Sequence, residues 1–96
     1  MKNIISDIDS YVDSQKENIL STLKRYIGFK SINVEQLEEG EKSEIVECQE
    51  WIATELESMN YFDSVDYYEV EKGRPNVVAL KKGKGGGKSL LFNAHS

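Results

Sequence analysis

The spacing of apolar residues along the first part of the chain predicts one amphipathic helix from Ile4 to Ile27. The apolar positions are Ile4, Ile5, Ile8, Tyr11, Val12, Ile19, Leu20, Leu23, Tyr26 and Ile27. Gly28 follows, and helices commonly end at glycine. A coiled coil is the alternative, because Ile5 begins a row with seven-residue spacing, but the companion row becomes polar at Gln15 and Thr22. We therefore expect a helix that packs on a domain.

A second apolar stripe predicts a helix from Ser43 to Met59. Its members are Ile45, Gln49, Ile52, Leu56 and Met59, with Trp51 at the border. Asn60 can adopt the left-handed conformation that often ends a helix. The connection before this helix carries Glu35, Glu38, Glu39 and Glu41. Because these glutamates lack the spacing of a calcium loop, we interpret them as a solvated acidic segment.

The pattern changes to that of strands after residue 60. Phe62 to Val70 is rich in aromatic and β-branched residues and alternates with acids, as in a half-buried strand. Asn76 to Leu80 is nearly all apolar, which is typical of a strand buried on both faces. Ser89 to Ala94 is predicted as a third strand. The turn residues Lys72 to Pro75 and the glycine–lysine loop Lys81 to Lys88 separate the three.

The order of two helices and then three strands predicts a layered α/β fold. Three short strands make a thin sheet, and Leu90, Leu91 and Phe92 would need a neighbouring strand on each side to pair their backbone groups. We therefore expect residues 1–96 to be the incomplete N-terminal part of a domain, with more of the sheet contributed by residues after Ser96.

Composition narrows the class of protein. The 96 residues make one domain at most, and the net charge of -5 argues against nucleic-acid binding, which depends on neutralising phosphates. Cys48 is the only cysteine, so a reducing, cytoplasmic setting is expected; we expect Cys48 to be a packing residue of the second helix. The first residues lack the apolar stretch of a signal peptide, and no segment is apolar enough to span a membrane.

The segment from Lys82 to Ser89 superficially resembles a phosphate-binding loop, because it contains Gly87-Lys88-Ser89. The motif requires another glycine five residues before Gly87, where this chain has Lys82. A phosphate loop must also open a helix, whereas the residues that follow here predict a strand. Binding of an anion or nucleotide through this loop is therefore the weaker alternative.

His95 is the strongest candidate for chemistry, and it follows the third predicted strand. Sites in α/β sheets gather beyond the carboxyl ends of strands, and neutral imidazole is a good zinc ligand. Zinc needs three or four protein ligands, however, and the chain contains no second histidine. We expect His95 to be one ligand of a site that these residues do not complete, and we expect no stable zinc binding by this chain alone.

Two stretches carry a resemblance to a known family: Arg74-Pro75-Asn76-Val77-Val78-Ala79, and Ser89-Leu90-Leu91-Phe92-Asn93-Ala94-His95-Ser96 after the glycine-rich loop. In this order they resemble the opening of the zinc metallopeptidases and deacylases, which include acetylornithine deacetylase, succinyl-diaminopimelate desuccinylase, aminoacylase and glutamate carboxypeptidase. The preceding helices agree in order but are not specific. Ala94 stands where the family more often has glycine.

The resemblance implies a fold and an activity. His95 matches the first zinc-ligating histidine of a two-zinc site, and the aspartate that orients it would stand two places later, beyond Ser96. The whole enzyme would use zinc-bound water and a glutamate base to hydrolyse an amide or peptide bond. The implied fold is a partial three-layer zinc-exopeptidase-like catalytic domain, with two N-terminal helices and three strands of a mixed sheet. The first two strands would be antiparallel neighbours, and the third would lie one place away.

The sequence therefore favours a fragment of a metal-dependent hydrolase of N-acyl amino acids or peptides, inactive on its own. The other hypotheses are a stand-alone, non-catalytic interaction module and the anion-binding domain described above. The open edges of a sheet with a missing strand also suggest self-association.

Overall fold

Helices occupy the first part of the chain and an antiparallel hairpin follows them. The computed structural model describes residues 3–96. Its elements are the helices α1 (Ile4–Ser14), α2 (Lys16–Ile27) and α3 (Ile45–Ser58), a 3-10 turn (Val34–Gln36), and the strands β1 (Ser64–Glu71) and β2 (Arg74–Leu80). No helix among the described residues is both long and apolar enough to cross a membrane.

The helix predicted from Ile4 to Ile27 is two helices, separated at Gln15. The N–H of Gln15 donates to the carbonyls of both Tyr11 and Val12, at 3.1 Å each, and its carbonyl accepts from the N–H of Ile19 at 2.8 Å. The hydroxyl of Ser14 also donates to the Tyr11 carbonyl at 2.6 Å. Serine hydroxyls that bond to a backbone carbonyl in this way compete with helical hydrogen bonds, which accounts for a break that apolar periodicity could not indicate.

The centre of the structure is the contact between α3 and one face of the hairpin. Cys48 has 0% of its surface exposed, and Ala53 is also buried. Pro75 of β2 is buried beneath the helix, and its carbonyl accepts a hydrogen bond from the side-chain amide of Gln49 at 3.1 Å. Cys48 and Ala53 are thus the buried positions of α3, and Gln49 ties this helix to β2.

Strands β1 and β2 are antiparallel neighbours, as expected, with Val65 opposite Ala79 and Tyr67 opposite Val77. The face that carries these four residues is the one covered by α3. Burial raises the pKa of Tyr67, and the nearby carboxylates of Glu50, Glu69 and Glu47 raise it further. Glu47 and Glu50 belong to α3, so this helix lies close to the Tyr67 hydroxyl.

The opposite face of the hairpin is open, which corrects the expectation that Asn76 to Leu80 is buried on both faces. Val78 and Leu80 are exposed, as are Tyr68 and Val70 on β1. Burial on both faces requires an element on each side of the sheet. Within the described residues, only α3 supplies one.

The third predicted strand does not form, and the sheet of the described residues has two strands. Residues 89–96 have no regular secondary structure, and Leu91 is 87% exposed. An isolated strand leaves its backbone N–H and C=O groups unpaired, so apolar composition alone cannot hold a segment in a sheet without a hydrogen-bonded neighbour. The fold of the described residues is therefore mixed helix and strand with a two-stranded antiparallel sheet, and the third strand of the predicted mixed sheet is not confirmed.

Asn60 ends the α3 region in the left-handed conformation, with φ of 51°, as predicted. We expect Asn60→Gly to leave the free energy of unfolding nearly unchanged, because glycine adopts this conformation without steric cost. Asn60→Val should lower it by roughly 1–2 kcal/mol, since a side chain branched at Cβ clashes there. Urea unfolding of the two variants and the wild type measures the difference; equal stabilities for Gly and Val would contradict the assigned conformation.

Burial of Cys48 should be visible in its reactivity and in the pH dependence of stability. Burial raises the pKa of the Cys48 thiol, so the folded chain keeps a proton that the unfolded chain releases. That contribution to stability is complete below the ordinary thiol pKa of about 8.5 and is lost as the pH rises through the higher folded value. We expect slow labelling by a thiol reagent in buffer, fast labelling in urea, and falling stability above about pH 8.5.

Cys48→Ala is the matched control for the pH experiment, because it removes the thiol but keeps a small apolar side chain. Tyr67 also titrates in alkaline solution, so the difference between wild type and variant isolates the cysteine. Identical alkaline slopes in the two proteins, or rapid labelling of the folded chain, would show that the thiol is accessible.

Candidate functional site

The last sixteen residues return along the hairpin and bring His95 to the start of β2. The segment leaves β2 beside Asp63, whose carboxylate accepts from the N–H of Lys82. At the other end, the hydroxyl of Ser96 donates to Oε1 of Gln49 at 3.0 Å, and the Nε2 of the same amide donates to the Pro75 carbonyl at 3.1 Å. Gln49 therefore joins the end of the described chain to the beginning of β2.

His95 is held through its backbone. Its carbonyl accepts a hydrogen bond from the hydroxyl of Tyr26 at 3.2 Å, and the residue itself is exposed. The Tyr26 ring lies 6.3 Å from Trp51, and Phe29 lies 5.5 Å from the same indole. The aromatic cluster Tyr26–Phe29–Trp51 links α2 to α3, so both helices position the backbone of His95.

Metal ligands do not converge around His95. Among residues 3–96, no group of three or more His, Cys, Asp or Glu side chains is arranged to hold a metal ion. Cys48, the one cysteine, is fully buried. His95 keeps the chemistry of a suitable zinc ligand, but the described residues supply no partners for it.

The acidic segment before α3 is engaged in local contacts. Glu35 forms an ion pair with Arg74 at 2.8 Å, and the same guanidinium donates to the side chain of Asn33 at 3.3 Å. The carboxylate of Glu41 accepts from the N–H of Glu38 at 2.9 Å. These contacts tie the segment to itself and to the hairpin turn, in agreement with its interpretation as a solvated loop.

The glycine–lysine loop lies in solvent. All residues from 82 to 89 are exposed, and Gly85 and Gly86 have φ of 95° and 81°. The residues after Ser89 are not helical, so the helix N-terminus that would hold a phosphate group is absent from this part of the described chain.

Tyr26 and Gln49 are the residues that the sequence interpretation missed as contacts of the His95 segment. Tyr26 was assigned only to the apolar stripe of its helix. Gln49 carried a visible signal, because it is the one polar member of an otherwise apolar stripe. A polar side chain on a packed helical face requires hydrogen-bond partners, and here they are a strand carbonyl and a serine hydroxyl.

A separate open cleft of about 520 Å³ lies between α2 and α3. Its lining comprises Asn18, Ser21, Thr22, Arg25, Trp51 and Glu55. His95 is not part of it, so the cleft and the candidate ligand are different features of the molecule.

Comparisons with protein-family models, with curated proteins and with solved structures found no match to this chain.

We predict that the isolated 96-residue chain retains no stoichiometric zinc, because one imidazole cannot replace three or four ligands. Metal analysis after dialysis against a weak chelator measures this, with His95→Ala as the matched variant. Wild type and variant should contain the same trace amount of zinc. One equivalent per chain that disappears in His95→Ala would contradict the prediction.

Proposed function

We propose that residues 1–96 are the N-terminal part of a metal-dependent hydrolase that cleaves an amide or peptide bond, and that His95 is its first metal ligand. The observation that carries the proposal is the placement of His95. The chain returns from the end of β2 and fixes His95 and Ser96 beside the start of that strand, through Tyr26 and Gln49. These backbone contacts fix the position from which the imidazole would reach a metal.

The open surfaces of the hairpin are compatible with a larger domain. Among the described residues, strand β2 pairs with β1 on one side only, and residues 89–96 do not pair with its other edge. The unpaired edge of β2 could accept the further strand that the resemblance implies. The uncovered hairpin face would be the place for the third layer of a three-layer domain. Both features support the partial zinc-exopeptidase-like fold as a proposal.

The chemistry of the complete enzyme is that of the family the sequence resembles. Two zinc ions would supply Lewis acidity and an activated water, and the substrate would be an N-acyl amino acid or a peptide. His95 would contribute one neutral imidazole. The described residues do not complete a metal site, so we derive no hydrolytic step from them and expect no turnover by this chain alone. A buried free thiol suits a cytoplasmic location.

A chimaera tests the proposal directly. Residues 1–96 would replace the corresponding opening segment of an acetylornithine deacetylase, including its first zinc-ligating histidine. We expect the purified chimaera to bind zinc and to hydrolyse acetylornithine, and we expect His95→Ala to lower both zinc content and kcat/KM by at least about tenfold. Activity and metal content should fall together because one ligand serves both.

Ser89→Ala is the control substitution, because it lies in the same segment, six residues from His95, and is exposed. A folded chimaera that stays active in His95→Ala would overturn the assignment of the ligand. The gene offers a second test: an Asp codon two positions after His95 is expected, and a stop codon there would favour a non-catalytic interaction module.

The interaction module is the second candidate function, and one observation favours it. Large apolar side chains are exposed on α1 and α2 as well as on the hairpin. Contiguous exposed apolar surface marks binding sites for other proteins.

A further inference from the structure

The helices α1 and α2 carry an apolar face that the rest of the described chain leaves uncovered. Nine large side chains on it are each between 47% and 72% exposed. They are Ile4, Ile5, Ile8, Tyr11, Val12, Ile19, Leu20, Leu23 and Ile27. Tyr26 belongs to the same face but is half-buried against Trp51. At 1.5 Å per residue the two helices span roughly 36 Å, so the face is long enough for a helical interface.

The apolar positions of this face form a palindrome. Each one has a counterpart at the same distance from the midpoint between Gln15 and Lys16, where the helix is interrupted. The pairs are Ile4 with Ile27, Ile5 with Tyr26, Ile8 with Leu23, Tyr11 with Leu20, and Val12 with Ile19. A two-fold axis through that midpoint brings every apolar residue of one copy opposite an apolar residue of an antiparallel second copy.

The charges select the same orientation. Helix α1 carries Asp7, Asp9 and Asp13 and no basic residue, which is a net charge of -3. Helix α2 carries Lys16, Lys24 and Arg25 against Glu17, which is 3 − 1, or +2. An antiparallel pair places the acidic helix of each copy along the basic helix of the other, whereas a parallel pair places like charges together.

We infer that this face binds a second copy of the chain, with the α1–α2 helices of the two copies antiparallel. The apolar palindrome supplies self-complementary packing, and the charge asymmetry fixes the direction. The interface differs from association through the open edge of β2, because it uses helical side chains instead of backbone hydrogen bonds. The inference does not depend on the proposed hydrolase function.

Val12 lies near the two-fold axis. A substitution there therefore places two altered side chains, one from each copy, close to the centre of the interface. We expect the wild type to have the mass of a dimer by light scattering and sedimentation, and Val12→Glu to have the mass of a monomer. Ser10→Glu adds the same charge on the opposite side of α1 and should remain dimeric. Circular dichroism of both variants checks that the helices persist. A monomeric wild type, or a dimer that survives in Val12→Glu, would overturn the inference.

Cysteine cross-linking tests the orientation in a Cys48→Ala background. Ile8→Cys mixed with Leu23→Cys should form a disulfide between chains, because these positions face each other across the antiparallel pair. Ile8→Cys alone should not, because its two copies would lie roughly 22 Å apart along the helix axis, beyond the reach of a disulfide. Efficient self-linking of Ile8→Cys would indicate a parallel pair and would refute the proposed geometry.

Discussion

The packing of α3 on the β1–β2 hairpin is the contact on which the remaining structure depends. Cys48 and Ala53 are the buried residues of that helix. Trp51, on the same helix, packs against the rings of Tyr26 and Phe29 and so connects α3 to α2. Gln49 adds two directed hydrogen bonds, one to β2 and one to Ser96. Every element that positions His95 therefore acts through α3.

The sequence was a good guide wherever local chemistry decides the structure. The stripe from Ile45 to Met59 predicted α3, and alternation with turn residues predicted both strands. Their antiparallel pairing was expected from the family resemblance and not from the residue pattern. Asn60 was identified as a left-handed residue from its type and position. These features depend on side-chain periodicity and on the conformational preferences of single residues, which a sequence displays directly.

The errors have a common physical origin in hydrogen bonds that depend on a neighbour. Leu90, Leu91 and Phe92 have the composition of a buried strand, but strand formation also requires a partner for their backbone groups. The break at Gln15 involves the Ser14 hydroxyl and a shared N–H, neither of which alters apolar spacing. His95 could be identified as a candidate ligand from the sequence. The polarity of Gln49 indicated that it needs hydrogen-bond partners, but neither its partners nor the Tyr26 contact could be identified before the chain was folded.

The two uncovered surfaces of the chain place different demands on a partner. A strand added at the edge of β2 needs only backbone groups, so almost any extended segment could supply it, and specificity would come from few side chains. The α1–α2 face presents an ordered series of apolar residues with opposite net charges at its two ends, so it discriminates both partner and direction. A surface with mirror symmetry in its apolar positions is most nearly complementary to itself. The self-association that we infer would therefore use the helices and not the sheet edge.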